Sequence, residues 1–504
     1  MIAKPPHRRG CVSLLVTLKG PTVPGTDIFT RMRTLHGCVL FLSAAHVLAS
    51  DLRIDSVQWT RRAGAPDLAH LHISWNNAWH NDRNHDAVWI HLRYTGNGEM
   101  RPFSLPALIA DDGHRVRAVG IAPSIMVERD QVGAWIIPPK GHRGSISCSV
   151  DLLLEDEGKY DQVPDMDQRR LTAHGIEMVM IPSGAFHVGD PDPRAIANGA
   201  FFTAPEAGGI ELPFLIREEK RPIPVGGAAD LAYTIDEHGY RGDGAGPIPA
   251  EFPKGVAGFR IMKYELRQGQ YADFLNDIPQ DATFIRGNMA GREYELHGGS
   301  IVCENGVYRA RYPDRACAFV TWDDLCAFAD WAGLRPMTEL EFEKACRGPL
   351  DPQPMEYPWN TSSRANLKRQ LDPLRALTFS DGFTEADMTE ENRDESGASY
   401  YGVLDLAGNV WERCITVGDS VGRAFTGSHG DGNLGAQASA TNADWPKGTT
   451  EVLGFGYRGG AYYGTDEPHG NTNPYSPIGY RTFAGWGGAH RYKTYSARFV
   501  RTMQ

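Results

Sequence analysis

Between Tyr457 and Gly470 the chain reads YRGGAYYGTDEPHG. Phenols, carboxylates and an imidazole follow the double glycine Gly459-Gly460. Such groups can move protons or hold a metal, and they can equally form a contact surface. His469 and His490, with Asp466 and Glu467, are the candidates for a local metal site, although separate loop histidines are more often polar surface. A second set lies in LDLAGNVWERC. Asp405 and Glu412 converge there if the backbone folds back, and Gly408 and Asn409 permit such a turn. Carboxylates with free carbonyls are hard oxygen ligands suited to calcium; the alternative is a plain turn with Trp411 packed beneath it. A third set, His80, Asp82, His85 and Asp86, has metal-ligand residue types, but strand alternation scatters it over both faces.

The elements that must position these groups begin with the whole composition. A chain of 504 residues with 41% hydrophobic and 22% charged residues is a folded protein of two or three domains. The net charge of -11 disfavours nucleic acid as a partner, because phosphate binding needs gathered Lys and Arg. Residues 1–31 carry several prolines and read as an N-terminal extension of the reading frame. Residues 32–49 follow the order of a signal peptide: basic at Arg33, apolar over Gly37–Leu48, small at Ala49. Export is therefore expected (periplasm, cell surface or secretion), with a mature start near Ser50 and no transmembrane segment in the mature chain. A buried helix containing His36 and His46 is the other reading. Cys148, Cys303, Cys317, Cys326, Cys346 and Cys414 would remain, at spacings unlike a CxxC metal site.

Residues 50–158 alternate as strands and hold Trp59, Trp75, Trp79, Trp89 and Trp135. This predicts a small all-β domain with a tryptophan-filled core. A polar linker over 159–174 and a large α+β domain over 175–504 follow. In the latter, Thr321 with Asp324 and Thr338 with Glu341 predict two capped helices, and 191–255 reads as extended and irregular.

The blocks MVMIPSGAFHVGD, KYELRQGQYADFLN, TWDDLCAFADWAGLRPMTELEFEKACRG, YPWN, YGVLDLAGNVWE, YRGG and SARFVRT occur in one order. Together they resemble the sulfatase-modifying-factor family, the formylglycine-generating-enzyme-like domains. The resemblance covers about residues 175 to 504. It implies a variant of the C-type lectin fold and structural calcium. One ion would take Asp405, Gly408, Val410 and Glu412; a second would take Asn366, Leu367, Asp381 and Phe383. Family enzymes that make formylglycine bind copper through two cysteines after the double glycine, and thiolates suit Cu(I). Here those positions fall on Gly464 and His469, so no copper is expected. Other relatives are iron enzymes that join a thiol to a betaine of histidine, with histidines from an added helical domain; here the added region reads as strands.

Seven tyrosines and ten glycines between Glu451 and Gln504 suit a recognition surface. The tail also resembles that of retroelement-diversified variable proteins. The display candidates are Tyr462, Tyr463, Asp466, His469, Asn471, Asn473, Tyr475, Trp486, His490, Tyr492 and Tyr495. The expectation is a non-catalytic exported protein that binds a protein or glycan. The alternative is a metal-dependent oxidoreductase of the superfamily with a non-cysteine active site.

Overall fold

Strand Asp86–Thr95 is apolar on both faces, and the structure uses both. In the computed structural model, which describes residues 52–503 except 63–64, 96–102, 105–107, 111–112, 156–169, 208, 235–241, 290–292, 372–376, 381 and 463–474, Val88, Ile90 and Leu92 enter one core cluster. Ala87 and Trp89 enter another. The period of two separates them.

The first cluster is the inside of a sandwich. One layer is a four-stranded antiparallel sheet in the order Arg53–Thr60, Asp67–Trp79, Arg143–Leu154, Arg115–Ala118. It supplies Leu71, Ile73, Trp75, Val150 and Leu152. The other layer is part of an eight-stranded sheet, ordered Arg335–Pro336, Phe499–Thr502, Phe259–Met262, Arg170–Ile181, Asp86–Thr95, Gly133–Ile137, Ser124–Val127, with Phe103–Ser104 beside Asp86–Thr95. Trp75, Trp89 and Trp135 are fully buried, so the tryptophans fill the core as expected.

The boundary expected at 159–174 does not divide the sheets. Residues 170–174 already belong to strand Arg170–Ile181, which pairs with Asp86–Thr95 along ten residue pairs. A shared sheet buries both edges, which two separate domains would leave open. The fold is α+β, with the tryptophan-rich strands built into the sheet that carries the larger region.

The helices Trp322–Trp331 and Glu339–Arg347 lie where the capping residues place them. Thr321 accepts from the Asp324 amide and Thr338 from the Glu341 amide, each in a capping box. The first packs on the far side of the large sheet, where the Trp89 indole donates to the Ala332 carbonyl at 2.8 Å; the second sets Phe342 and Ala345 against Val179, Ile181, Phe259 and Ile261. Helix Gln268–Asp277 buries Tyr271, Phe274 and Leu275 in the same core as the first. The described residues of 191–255 form short strands, turns and the short helix Pro193–Ala197.

The described cysteines are all free; five are buried and Cys303 is exposed. Among the described residues no helix is long and apolar enough to cross a membrane. The expected extension and signal peptide lie outside the described residues.

Candidate functional site

The two motifs singled out in the sequence meet at one place. A three-stranded sheet joins Trp411–Ile415 to Phe455–Arg458 on one side and Tyr495–Ser496 on the other. The Gly459 carbonyl accepts from the Gly408 amide at 2.8 Å and from the Ser476 amide at 3.1 Å, and the Tyr462 amide donates to the Asn409 carbonyl at 2.9 Å. Gly459 has φ +91°, and a Cβ there would stand 2.9 Å from the Leu406 carbonyl oxygen. Glycine is required for that approach.

The strand before the double glycine is clamped from below. Arg458 donates to Glu339 at 3.0 Å and to Glu343 at 2.6 Å. Arg481 donates to Glu339 at 2.6 Å. Burial alone would raise the Glu339 carboxyl, but Arg481 and Arg458 outweigh it and hold it below its ordinary value. The cap that starts this helix at Thr338 was legible in the sequence; the use of Glu339 as an anchor for Arg458 and Arg481 was not.

Three acids meet at the turn, Glu412 and Glu265 buried and Asp405 half-buried. Glu412 is fully buried and accepts from Arg498 through Oε1, at 2.8 and 2.5 Å. Its Oε2 is buried with no hydrogen-bond partner. Asp405, in a left-handed conformation at φ +59°, pairs with Arg369. Glu265, which sequence reasoning passed over, accepts from the Asn409 side chain at 2.8 Å. Burial, then the charge of Asp405, pushes the Glu265 carboxyl well above its ordinary value. Glu412 is also raised, by burial first and against the pull of Arg498.

The second expected ion set is less assembled. Asn366 is exposed and donates to Asp394 at 2.7 Å. Leu367 is half-buried, and Phe383 packs on Phe379 at 5.1 Å. Asp381 lies outside the described residues. His80, Asp82, His85 and Asp86 form no centre: His80 bonds the Pro138 carbonyl, Asp82 pairs with Lys140, and Asp86 takes Lys263. Among the described residues, no three His, Cys, Asp or Glu converge at metal-holding spacing.

Of the display candidates, Tyr463, Asp466, His469, Asn471 and Asn473 lie outside the described residues, as do Gly464 and Glu467. Tyr495 is a correction: it is 3% exposed and packs on Tyr457 at 4.5 Å, so it belongs to the core. Both residues of strand Tyr495–Ser496 are buried, and the ring is part of the main hydrophobic cluster. Tyr475 is half-buried against Trp359 and over Gly408. Trp486 and Tyr492 are half-buried beside Tyr495, and His490 is exposed.

Tyr462 stands at the lip of the turn. Its hydroxyl lies 3.2 Å from His297 Nδ1, and His297 Nε2 lies 3.3 Å from a Glu293 carboxylate oxygen. The imidazole is nearly covered and the carboxylate is exposed. Longer contacts run from the same hydroxyl to the His297 and Lys493 carbonyls at 3.5 and 3.4 Å. Nothing in the local sequence around Glu293 and His297 marks them, because their partner is 165 residues away.

The family model for the sulfatase-modifying factor enzyme 1-like domain matches residues 163–455. The chain belongs to this family. It is 35% identical over 108 residues to the formylglycine-generating enzyme of Thermomonospora curvata, covering 20% of this chain and 33% of that one. It is 30% identical over 154 residues to the inactive C-alpha-formylglycine-generating enzyme 2 of Bos taurus (28% and 49%). It is 34% identical over 179 residues to the hercynine oxygenase of Mycolicibacterium thermoresistibile (31% and 35%). These matches span from a third to about half of the relatives' lengths. This family member lacks the cysteine pair after the double glycine, since no cysteine follows Cys414.

Proposed function

We propose that this family member is an enzyme with a non-cysteine active site beside the double glycine, and that Tyr462, His297 and Glu293 are its proton-handling groups. The observation that carries the reading is the 3.2 Å contact of Tyr462 with His297, backed by Glu293 at 3.3 Å. With Nε2–H of His297 donating to Glu293, Nδ1 is the nitrogen placed to accept the phenolic proton. A positioned acid–base pair of this kind contributes about 10²- to 10⁴-fold to a rate. Relatives named as a formylglycine-generating enzyme and a hercynine oxygenase support an oxidative reaction class.

Copper held by thiolates does not fit, because the soft ligands are missing from this stretch. Calcium fits better, as a structural ion in a C-type-lectin-like scaffold. Asp405 and Glu412 would hold it with the carbonyls of Gly408 and Val410. The unpartnered Glu412 Oε2 and the raised Glu265 and Glu412 carboxyls are what a nearby cation would relieve. Export remains part of the reading, supported by the order of residues 32–49.

An oxygen-uptake screen tests the enzyme. The protein, with and without added Fe(II), is offered hercynine with a thiol, and separately a cysteine-containing sulfatase peptide. Uptake that falls at least 100-fold in Tyr462→Phe, with unchanged melting, supports the reading. Uptake indifferent to Tyr462 and His297 overturns their role.

A second reading, display without catalysis, is supported by the half-exposed Trp486 and Tyr492 beside exposed His490, and by the inactive relative. Glycan and cell-surface-protein arrays test it. Partner binding that Tyr492→Ala weakens, in the absence of any turnover, would favour display. Focused adenine-specific variation over 451–504 in sister strains would mark the diversified form.

A further inference from the structure

An open cleft of about 430 Å³ lies where strand Arg53–Thr60 and the first half of strand Arg170–Ile181 meet helix Gln268–Asp277. That volume falls in the range of about 300–1,000 Å³ found for small-molecule sites. Leu52, Ile54, Val57 and Ala173 line it. All four are only half-buried, so apolar surface remains for a ligand to cover. Gly175 lets two of them settle on the strand: a Cβ there would stand 3.0 Å from Leu52 Cδ2 and 3.3 Å from Ile54 Cδ1.

The charged groups of the cleft are unequally matched. Arg267 is buried and answered by Glu177 at 3.1 Å and by Asp314 at 3.5 Å. His174 is nearly covered, and its Nε2 lies 2.7 Å from Asp277 Oδ2. Asp273, one turn before Asp277 on the same helix, is the carboxylate left over. Its side chain is 60% exposed, and its ion pair among the described residues is with His174 Nδ1 at 4.0 Å, beyond hydrogen-bond reach. The cleft therefore sets apolar surface beside a carboxylate whose lone pairs are open. An ammonium group on an apolar body satisfies both, because a charge-assisted hydrogen bond forms where the apolar surface is covered.

We propose that this cleft binds a small primary amine, whose ammonium group donates to Asp273 and whose apolar body lies over Leu52, Val57 and Ala173. An ammonium carries three donors and no acceptor, so it suits a carboxylate with open lone pairs. A neutral or anionic analogue would cover the same apolar surface and leave Asp273 unanswered. The cleft shares no residue with Tyr462, His297 and Glu293, and the proposal does not depend on the enzyme reading.

Calorimetric titration of the full chain with phenethylamine, phenethyl alcohol and methylamine tests this. Phenethylamine should bind, with the alcohol weaker by about 10-fold or more for want of the charge-assisted bond. Methylamine, which has the charge without the apolar body, should be weaker by about the same factor. Asp273→Asn should weaken phenethylamine by about 10-fold or more with melting unchanged, since the side chain is exposed. Asp273→Lys should lose the amine and bind phenylacetate in its place, a switch that misfolding cannot mimic. No binding of phenethylamine, alcohol or methylamine binding as tightly as phenethylamine, or an amine affinity unmoved by both substitutions would overturn the proposal.

Discussion

Two buried ionic clusters flank one strand pair, where Glu412 stands in register with Arg458. In the first, Glu339 and Glu343 meet Arg458 and Arg481, and all four carboxylate oxygens have donors. Glu339 takes Arg458, Arg481, Thr416 and the Val417 amide; Glu343 takes Arg458 and the Gly189 amide. In the second, Glu265, Asp405 and Glu412 face Arg369 and Arg498, and one oxygen of Glu412 has nothing. The first pairs every carboxylate oxygen and anchors the double glycine, with only the Arg458 Nε left buried without a partner. The second carries an acid in excess. The contrast lies in the acids: carboxylates with every oxygen paired hold geometry, whereas an unpaired oxygen has capacity for a cation.

The strongest way to break this contrast is to open the first cluster. Arg458→Ala leaves Glu339 and Glu343 short of a buried partner, which costs about 3–5 kcal/mol. Set against a total stability of about 5–15 kcal/mol, the variant should be poorly folded in a urea titration. Glu412→Gln in chelator should cost far less, since it removes a charge from an over-acidic group. If Glu412→Gln is the more damaging of the two, the contrast is wrong.

Calcium comes next in size. Protein stripped of ions and then given calcium at 100 times its Kd should gain about 2.7 kcal/mol. Glu412→Gln should erase the gain, while Arg458→Lys should keep it. Coincident melts with calcium and with chelator would remove the ion from the turn.

Much of this was legible from local rules, and the part that was not shares one cause. The strands, both capped helices and the buried tryptophans follow from alternation and from Thr321 and Thr338. The turn at Gly408 and the double glycine were visible as motifs. Their partners were not. Glu265, His297 and Arg369 act on residues far along the chain, and no period or spacing encodes a contact across 144 or 165 residues. The boundary near 159–174 misled for a related reason: a polar run marks a surface connection, but the sheet closes across it through Arg170–Ile181 and Asp86–Thr95. Tyr495 looked like surface because aromatic loops in a glycine-rich tail share their composition with aromatic core strands.

The acid excess also fixes a sign for pH. Glu265 and Glu412 are raised in the fold, so without calcium their contribution is fully present below the unfolded value of 4.5 and is lost as pH rises through the folded values. Calcium at the proposed site would bind the ionised forms, so its stabilising increment should grow over the same rise. Melting curves from about pH 5 to about pH 8, with and without calcium, read both slopes. A calcium increment that shrinks with pH would place the ion elsewhere.

The smallest effect on stability should come from Tyr462→Phe. The hydroxyl makes one contact at 3.2 Å and two longer ones, and the ring stays packed with Phe319 and Val410. Loss of such a hydrogen bond costs about 1 kcal/mol or less. If the group handles protons, turnover should fall by about 10²-fold or more with that small change in melting. His297→Asn should behave alike, and Glu293→Gln should act more weakly, because its carboxylate orients the imidazole and is itself exposed. The order Tyr462 and His297 first, Glu293 second, is what a relay requires. A rate that tracks melting across all three variants would return Tyr462 to the scaffold, and would leave the acid-rich turn as the place where this family member meets its ligand.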